Sequence, residues 1–207
     1  MAFVITIAQQ KGGAGKTTLV ASLAGHWAAR RRVALLDIDP QRSLTRWHGL
    51  RDTNLAPVRL SDVSGWRLSA ELDRLRADCD IVLIDSPPQI DTDARLAIRS
   101  ADLVLVPIQP SLPDLWAAEG TLKLAAAERR TARLVLNRAQ PSGVLRDTIA
   151  ASIAAQGLTP LTATLGNRIG FANAFALGQS VSEHQPRATA AREVAALAAE
   201  ILALMPT

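Results

Sequence analysis

The chain has 207 residues, enough for one domain with a sizeable core, and its single cysteine, Cys79, excludes a disulfide framework and suits a reducing compartment. Lysine and arginine total 23 against 19 acidic residues, a net charge of +4; an excess of this size permits a salt-sensitive grip on phosphates but does not establish one. Four tryptophans, three phenylalanines and no tyrosine, all scattered, give no stacking platform for single-stranded nucleic acid, and every apolar run is too short or too punctuated to span a bilayer.

The N-terminus enters a strand directly, at Phe3 to Ala8, without a basic-then-apolar signal. The next ten residues, QQKGGAGKTT, form a glycine-rich loop, and a helix begins near Thr17. Strand, glycine loop, Lys-Thr and helix in that order are the context of a phosphate loop. The glycines let successive N–H groups turn inward as an anion nest, and the helix N-terminus adds its partial positive charge. Lys16 is expected to reach the β- and γ-phosphates, and the Thr17 hydroxyl to ligate Mg²⁺. The common pattern requires glycine at position 10, where this chain has Gln10.

Val33 to Leu36 is a short apolar run, expected as a buried parallel strand. It delivers Asp37 and Asp39 to the carboxyl edge of the sheet, where open α/β sheets bind ligands; a turn closed by an Asx-type bond would use the same residues. Ile81 to Ile84 is a second such run, ended by Asp85, the position expected to hold Mg²⁺ through water, and Pro87 and Pro88 stiffen the loop that follows. Cys79 is expected to pack beneath this strand. Further strands are expected at Leu103 to Pro107, Leu134 to Asn137 and around Leu161 to Leu165. Helices are expected near Leu68–Arg76, Thr92–Ser100, Leu115–Arg129, Ser142–Gln156, Gly170–Leu177 and Pro186–Leu204. The alternation predicts an α/β fold: a single-domain, mostly parallel twisted sheet flanked by helices, of the P-loop NTPase type, over residues 1–207.

The stretch Lys11-Gly12-Gly13-Ala14-Gly15-Lys16-Thr17-Thr18 resembles the deviant Walker A loop of the ParA/MinD family of dimerising ATPases. LLDIDPQ and DSPP, in order behind it, resemble the family's next two motifs, as does the late segment Gly178 to Glu193. The resemblance covers the whole chain and is most specific in roughly its first ninety residues. It implies ATP and Mg²⁺ as cofactors and an ATP-bound homodimer in which Lys11 crosses to the partner's nucleotide. It implies that Asp39 orients the attacking water, that Asp37 supports the magnesium and water shell, and that Asn137 bonds the adenine; asparagine at a strand end is also a routine turn residue. The segment behind Pro107, including Asp114, resembles the family's dimer-lining region. One cysteine argues against the iron–sulfur relatives, whose dimers need two cluster ligands per subunit.

The chain begins two residues before its first strand and is most similar to the small ParA-type proteins without a helix-turn-helix domain. Its end, AAEILALMPT, has no basic residue, so MinD-like membrane targeting is not expected; the apolar spacing of Val194, Leu197, Ile201 and Leu204 is that of core packing. The implied partners are non-specific double-stranded DNA and a ParB-like or adaptor protein that stimulates hydrolysis, and the implied location is the cytoplasm, on the nucleoid. Candidate DNA contacts are Arg168, Arg187 and Arg192, with Arg138 and Arg146 behind them. Arg30 to Arg32 are accounted for more simply as basic groups complementing a helix C-terminus. Trp47, His48 and Trp66 are buried anchors or groove residues; His26, Trp27 and His184 are structural. Two rivals remain: a dethiobiotin synthetase-like ligase, whose loop would lack Lys11, and a nucleotide-binding adaptor that barely hydrolyses.

Overall fold

A computed structural model describes residues 1–63, 67–89, 91–140 and 144–205, the side chains of 144–146 excepted. Trp66 and the Arg146 side chain therefore lie outside the described residues. Six strands, β1 (Phe3–Ile7), β2 (Val33–Asp37), β3 (Val58–Ser61), β4 (Ile81–Asp85), β5 (Leu103–Ile108) and β6 (Thr131–Leu136), form one sheet in the order β3-β2-β4-β1-β5-β6. Every pairing is parallel. Parallel strands need crossovers, and the helices that supply them cover both faces, which is why β1, β2, β4 and β5 are buried at every position.

The period-two alternation of each strand divides the core. Phe3, Ile5, Ile7, Leu35, Leu83 and Leu105 point to one side. There they meet α1 (Lys16–Ala28), α2 (Ser43–Gly49), α7 (Ile169–Ala176), α8 (Val181–His184) and α9 (Thr189–Leu202). Val4, Leu36, Val82, Ile84, Val104 and Val106 point to the other, towards α3 (Leu68–Asp78), α4 (Thr92–Ser100), α5 (Leu112–Ala127) and α6 (Val144–Ala155). Cys79 packs in this second layer with Val82 and Ile84, as expected, and burial pushes its thiol pKa up. The register pairs Asp37 with Asp85 and Asp85 with Ile7, so both carboxylates arrive level with the end of the central strand.

Four elements depart from the sequence reading; one is α8, a single turn closed by a capping box from Ser180, which lies between the two expected C-terminal helices. β3 is a four-residue edge strand whose middle residues, Arg59 and Leu60, are only half-buried, so it shows no continuous apolar run. α2 lacks a side-chain cap of its own, starting from Arg42 in the left-handed region (φ 56°); its start is fixed by a distant contact, described below. The strand expected around Leu161–Leu165 is not one. Around it, Pro160 bridges to Leu134 of β6 and Gly166 to Ala139 just beyond β6, and the Leu161 N–H donates to the Leu134 carbonyl (2.8 Å) and the Leu165 N–H to the Leu136 carbonyl (2.9 Å). Among the described residues no helix is long and apolar enough to cross a membrane.

Trp47 joins α2 to the C-terminal helices. It is fully buried, stacks on Phe175 with ring centroids 6.3 Å apart, lies under the Arg51 guanidinium at 5.0 Å, and donates its indole N–H to the Gln179 carbonyl at 3.3 Å. Trp47→Ala is expected to cost about 3–5 kcal/mol, read as a lower urea midpoint; a cost below about 1 kcal/mol would show that the site collapses around the missing ring.

Candidate nucleotide site

The loop after β1 turns through Gly13 (φ 77°) and Gly15 (φ 91°), and Gly15 is the residue before α1. A side chain at Gly15 would put its Cβ 2.3 Å from Asn137 Nδ2, so glycine is required by close approach as well as by φ. Gln10 has a comparable explanation. Its amide lies over Gly120 of α5, where a Cβ would come within 1.9 Å of Nε2, so position 10 packs the loop onto α5 where a common phosphate loop has its first glycine.

The two loop lysines diverge. Lys16 is buried, and its Nζ donates to the Gln9 carbonyl at 3.1 Å, closing the loop on itself. Burial lowers its pKa, opposed by the charges of Asp85 and Asp39. Lys11 is 41% exposed and forms an ion pair with Asp114, a carboxylate that is only 1% exposed. Asp114 also accepts from the Gln109 N–H (3.1 Å) and the Ser111 hydroxyl (2.8 Å), tying the start of α5 to the phosphate loop. Burial alone would raise the Asp114 pKa, but the bonds from Lys11, Gln109 and Ser111 hold it below the ordinary carboxylate value.

The two aligned aspartates have opposite surroundings. Asp37 is saturated: Oδ2 accepts from the Thr45 N–H and hydroxyl, both at 2.8 Å, and Oδ1 from the Asp39 N–H at 3.2 Å. Thr45 lies in the first turn of α2, so Asp37 acts as that helix's remote cap. Asp85 is fully buried and neither of its oxygens has a hydrogen-bond partner. Burial pushes its pKa up to about 7, with Asp37 and Asp39 adding to the rise and the Thr17 hydroxyl and Lys16 opposing it. A buried, unsatisfied carboxylate beside a threonine hydroxyl and a phosphate cradle fits a hard cation held through water. Among the described residues no cluster of three or more His, Cys, Asp or Glu could hold a metal alone, so such a cation would complete its shell from phosphate and water.

Asp39 is half-buried and accepts from the Gln41 N–H at 2.9 Å. Asn137 is buried against the loop, donating to the Ala14 carbonyl at 2.8 Å and accepting from the Arg138 N–H at 2.9 Å. It lines a cleft of about 390 Å³ with Gly15, Thr18, Asn167, Ile169 and Phe171. The size and place of that cleft suit a nucleoside beside the phosphate loop. Asn167, Ile169 and Phe171 carry no signal in the sequence, since they reach the cleft only through the packing of α7. Of the candidate arginines, Arg168 is committed to Glu193 (2.6 and 3.0 Å), whereas Arg187 and Arg192 are exposed on the surface and Arg138 is exposed at the cleft.

Residues 5–181 match the model of a family described as the CobQ/CobB/MinD/ParA nucleotide binding domain. The chain is 31% identical over 201 residues to maintenance of carboxysome distribution protein A from Halothiobacillus neapolitanus, covering 93% of this chain and 92% of that protein. It is 27% identical to the chromosome-partitioning ATPase Soj from Thermus thermophilus, covering 96% and 95%. The fold is similar to that of the septum site-determining protein MinD from Pyrococcus horikoshii, solved with Mg-ADP, with a TM-score of 0.79 at 19% identity over 97% and 96% of the two chains.

The state of Asp85 has a consequence for stability. Its folded pKa of about 7 lies above the ordinary 3.8, so the folded chain binds this proton more tightly than the unfolded one. The contribution of this group to folding stability is therefore fully present below about pH 4, is lost as pH rises towards about 7, and stays absent above it. Asp85→Asn should flatten that fall and raise the melting temperature at pH 8. Thermal unfolding across pH measures this, and a variant less stable than the parent at pH 8 would contradict it.

Proposed function

Because the chain belongs to the CobQ/CobB/MinD/ParA nucleotide-binding family, we propose that it is an ATP-driven, dimerising switch that positions a cargo on double-stranded DNA. The cargo is a plasmid, a chromosomal locus or a protein assembly, in line with relatives named for carboxysome distribution and for chromosome partitioning. The observation that carries this reading is the divergence of the two lysines. Lys16 faces its own loop, whereas Lys11 leaves the cradle for a carboxylate at the start of α5 and remains partly open to solvent. A lysine so placed is of little use to its own nucleotide and is available to a second copy's.

In this reading the N–H groups of Gly12 to Thr18 and the Lys16 ammonium hold the phosphates. Thr17 and, through water, Asp85 would hold Mg²⁺, which would supply positive charge against the bound phosphates. Asp39 orients the attacking water. Asp37 contributes by fixing α2 and the turn that carries Asp39, which adds a structural duty to the magnesium-shell role inferred from the resemblance. Asn137 and the cleft beside it take the nucleoside. Lys11 stabilises developing charge across the dimer interface, as an arginine finger does elsewhere. Leu112 (39% exposed) and Trp116 (59%), one turn apart on α5 beside Asp114, supply an apolar edge that a second copy would cover. A partner protein accelerates hydrolysis and returns the chain to the monomer, in the cytoplasm and on the nucleoid.

ATP, but not ADP, is expected to convert the monomer to a dimer in sedimentation and to shift Trp116 emission. Lys11→Ala should keep ATP affinity within a few-fold and lose the dimer. A variant that dimerises normally would remove Lys11 from the interface. A parent chain that binds ATP but stays monomeric would return the protein to the small-molecule ligases or adaptors.

A further inference from the structure

A concavity larger than the nucleotide cleft lies at the other end of α1, a groove of about 850 Å³ between the end of that helix and α9. Its buried alanines, Ala191 and Ala198, form a flat floor, and the exposed Arg30, Arg31 and Arg192 stand at its margins. The guanidinium groups of Arg30 and Arg31 make no hydrogen bond or ion pair to any described residue, and that of Arg192 bonds only the Thr189 hydroxyl, at 3.1 Å. Glu183 is the one carboxylate lining the groove among the described residues, and it is already satisfied. Its oxygens accept from Arg51 at 2.7 and 3.1 Å and from the Ser180 N–H at 2.8 Å. α9 begins at this groove without a side-chain cap, directly behind the exposed Arg187.

The groove is thus a concave surface with an excess of positive charge, although Arg31 also lies close enough to Asp80 to help hold that carboxyl below its ordinary value. None of the exposed large hydrophobic side chains, such as Trp116, Ile169 or Leu177, lines it. The apolar part of the lining is mainly alanine, with Trp27 buried beneath it and Leu202 half-buried at one end, so it presents few of the large anchors that hold protein partners, whereas a polyanion needs only charge and close approach. We propose that the α1–α9 groove is a track for the phosphate backbone of duplex DNA, with Arg30, Arg31 and Arg192 as its phosphate contacts. Guanidinium forks match phosphate oxygens, the uncapped start of α9 adds partial positive charge, and the small floor lets the uncharged sugar edge approach.

This inference rests on the DNA reading above and revises the account of Arg30 and Arg31 as complements to a helix dipole. It also separates the two ligands. α1 has 13 residues, about 20 Å at 1.5 Å per residue, with the phosphate loop at one end and the groove at the other. Nucleotide and DNA therefore do not compete for space.

The test is fluorescence anisotropy of a labelled random-sequence duplex with the ATP-bound protein across a salt series. It compares the parent, R30A/R31A, R192A, and R95A/R99A, which removes two exposed arginines from α4 on the opposite face of the sheet. In R30A/R31A the slope of log affinity against log salt should flatten by about 0.9 for each phosphate that is no longer neutralised, with ATP-dependent dimerisation unchanged. R192A should flatten it less, and R95A/R99A not at all. Parental slope and affinity in R30A/R31A would overturn the inference while leaving the DNA reading intact, assigning the groove to an acidic protein. An equal loss in R95A/R99A would overturn it in favour of diffuse charge. A parent chain that binds no duplex in any nucleotide state would overturn the DNA reading as well.

Discussion

Asp85 is a carboxylate removed from water at the end of a central strand and left without a hydrogen-bond partner. A buried carboxylate with unsatisfied oxygens is costly to hold in its charged form, and burial accordingly pushes the Asp85 pKa up to about 7. It persists here because it lies at the end of β4, within a sheet packed on both faces, where a local shift would disturb several elements together. The charges beside it are arranged around that constraint. Lys16 and the Thr17 hydroxyl draw the Asp85 pKa down, while Asp37 and Asp39 draw it up. A site poised in this way gains most from a ligand that brings its own cation, which ties the stability of the fold to occupancy of the site.

Asp37 is the counterpart that has been satisfied. Its register position matches that of Asp85, but the first turn of α2 folds back to give it three hydrogen bonds. From there the connection continues by packing: α2 carries Trp47, Trp47 stacks on Phe175 of α7, and Arg51 beside it pairs with Glu183 of α8. Glu183 in turn caps the start of α8 through the Ser180 N–H, and α7 lines the cleft beside Asn137. The C-terminal third of the chain is thereby held to the second strand by one continuous set of contacts. The first strand's loop is held separately, through Lys11, Asp114 and Gln10, to α5. The phosphate loop thus lies between two supports that belong to different faces of the sheet.

The central strands are legible in the chain because parallel strands buried on both faces must be nearly continuous apolar runs. β1, β2, β4 and β5 are such runs, and each is followed by turn or loop chemistry that marks its end. The loop from Lys11 to Thr18 is legible for the same kind of reason: Gly13 and Gly15 are demanded by their positive φ, and Gly15 also by its close approach to Asn137. β3 and α2 are not legible. One is an edge strand that buries only its ends, and the other has a start fixed by a carboxylate on the preceding strand rather than by a cap of its own. The pairing of residues 160–166 with β6 and the residues just beyond it is intermittent, so an apolar pattern there reads as a strand although only two bridges form.

Sequence by itself therefore determined the fold class, the phosphate loop, and the acids at the strand ends, because those depend on local backbone geometry and on burial that repeats along the chain. Tertiary structure decided how the like-looking groups differ. It satisfied Asp37 and isolated Asp85, turned Lys16 inward and Lys11 outward, and committed Arg168 to Glu193 while leaving Arg30, Arg31 and Arg192 without an ion pair among the described residues. A side chain's charge is written in its residue type; its burial, its partners and its freedom are set by elements far away in the chain, and these decide what the charge can do.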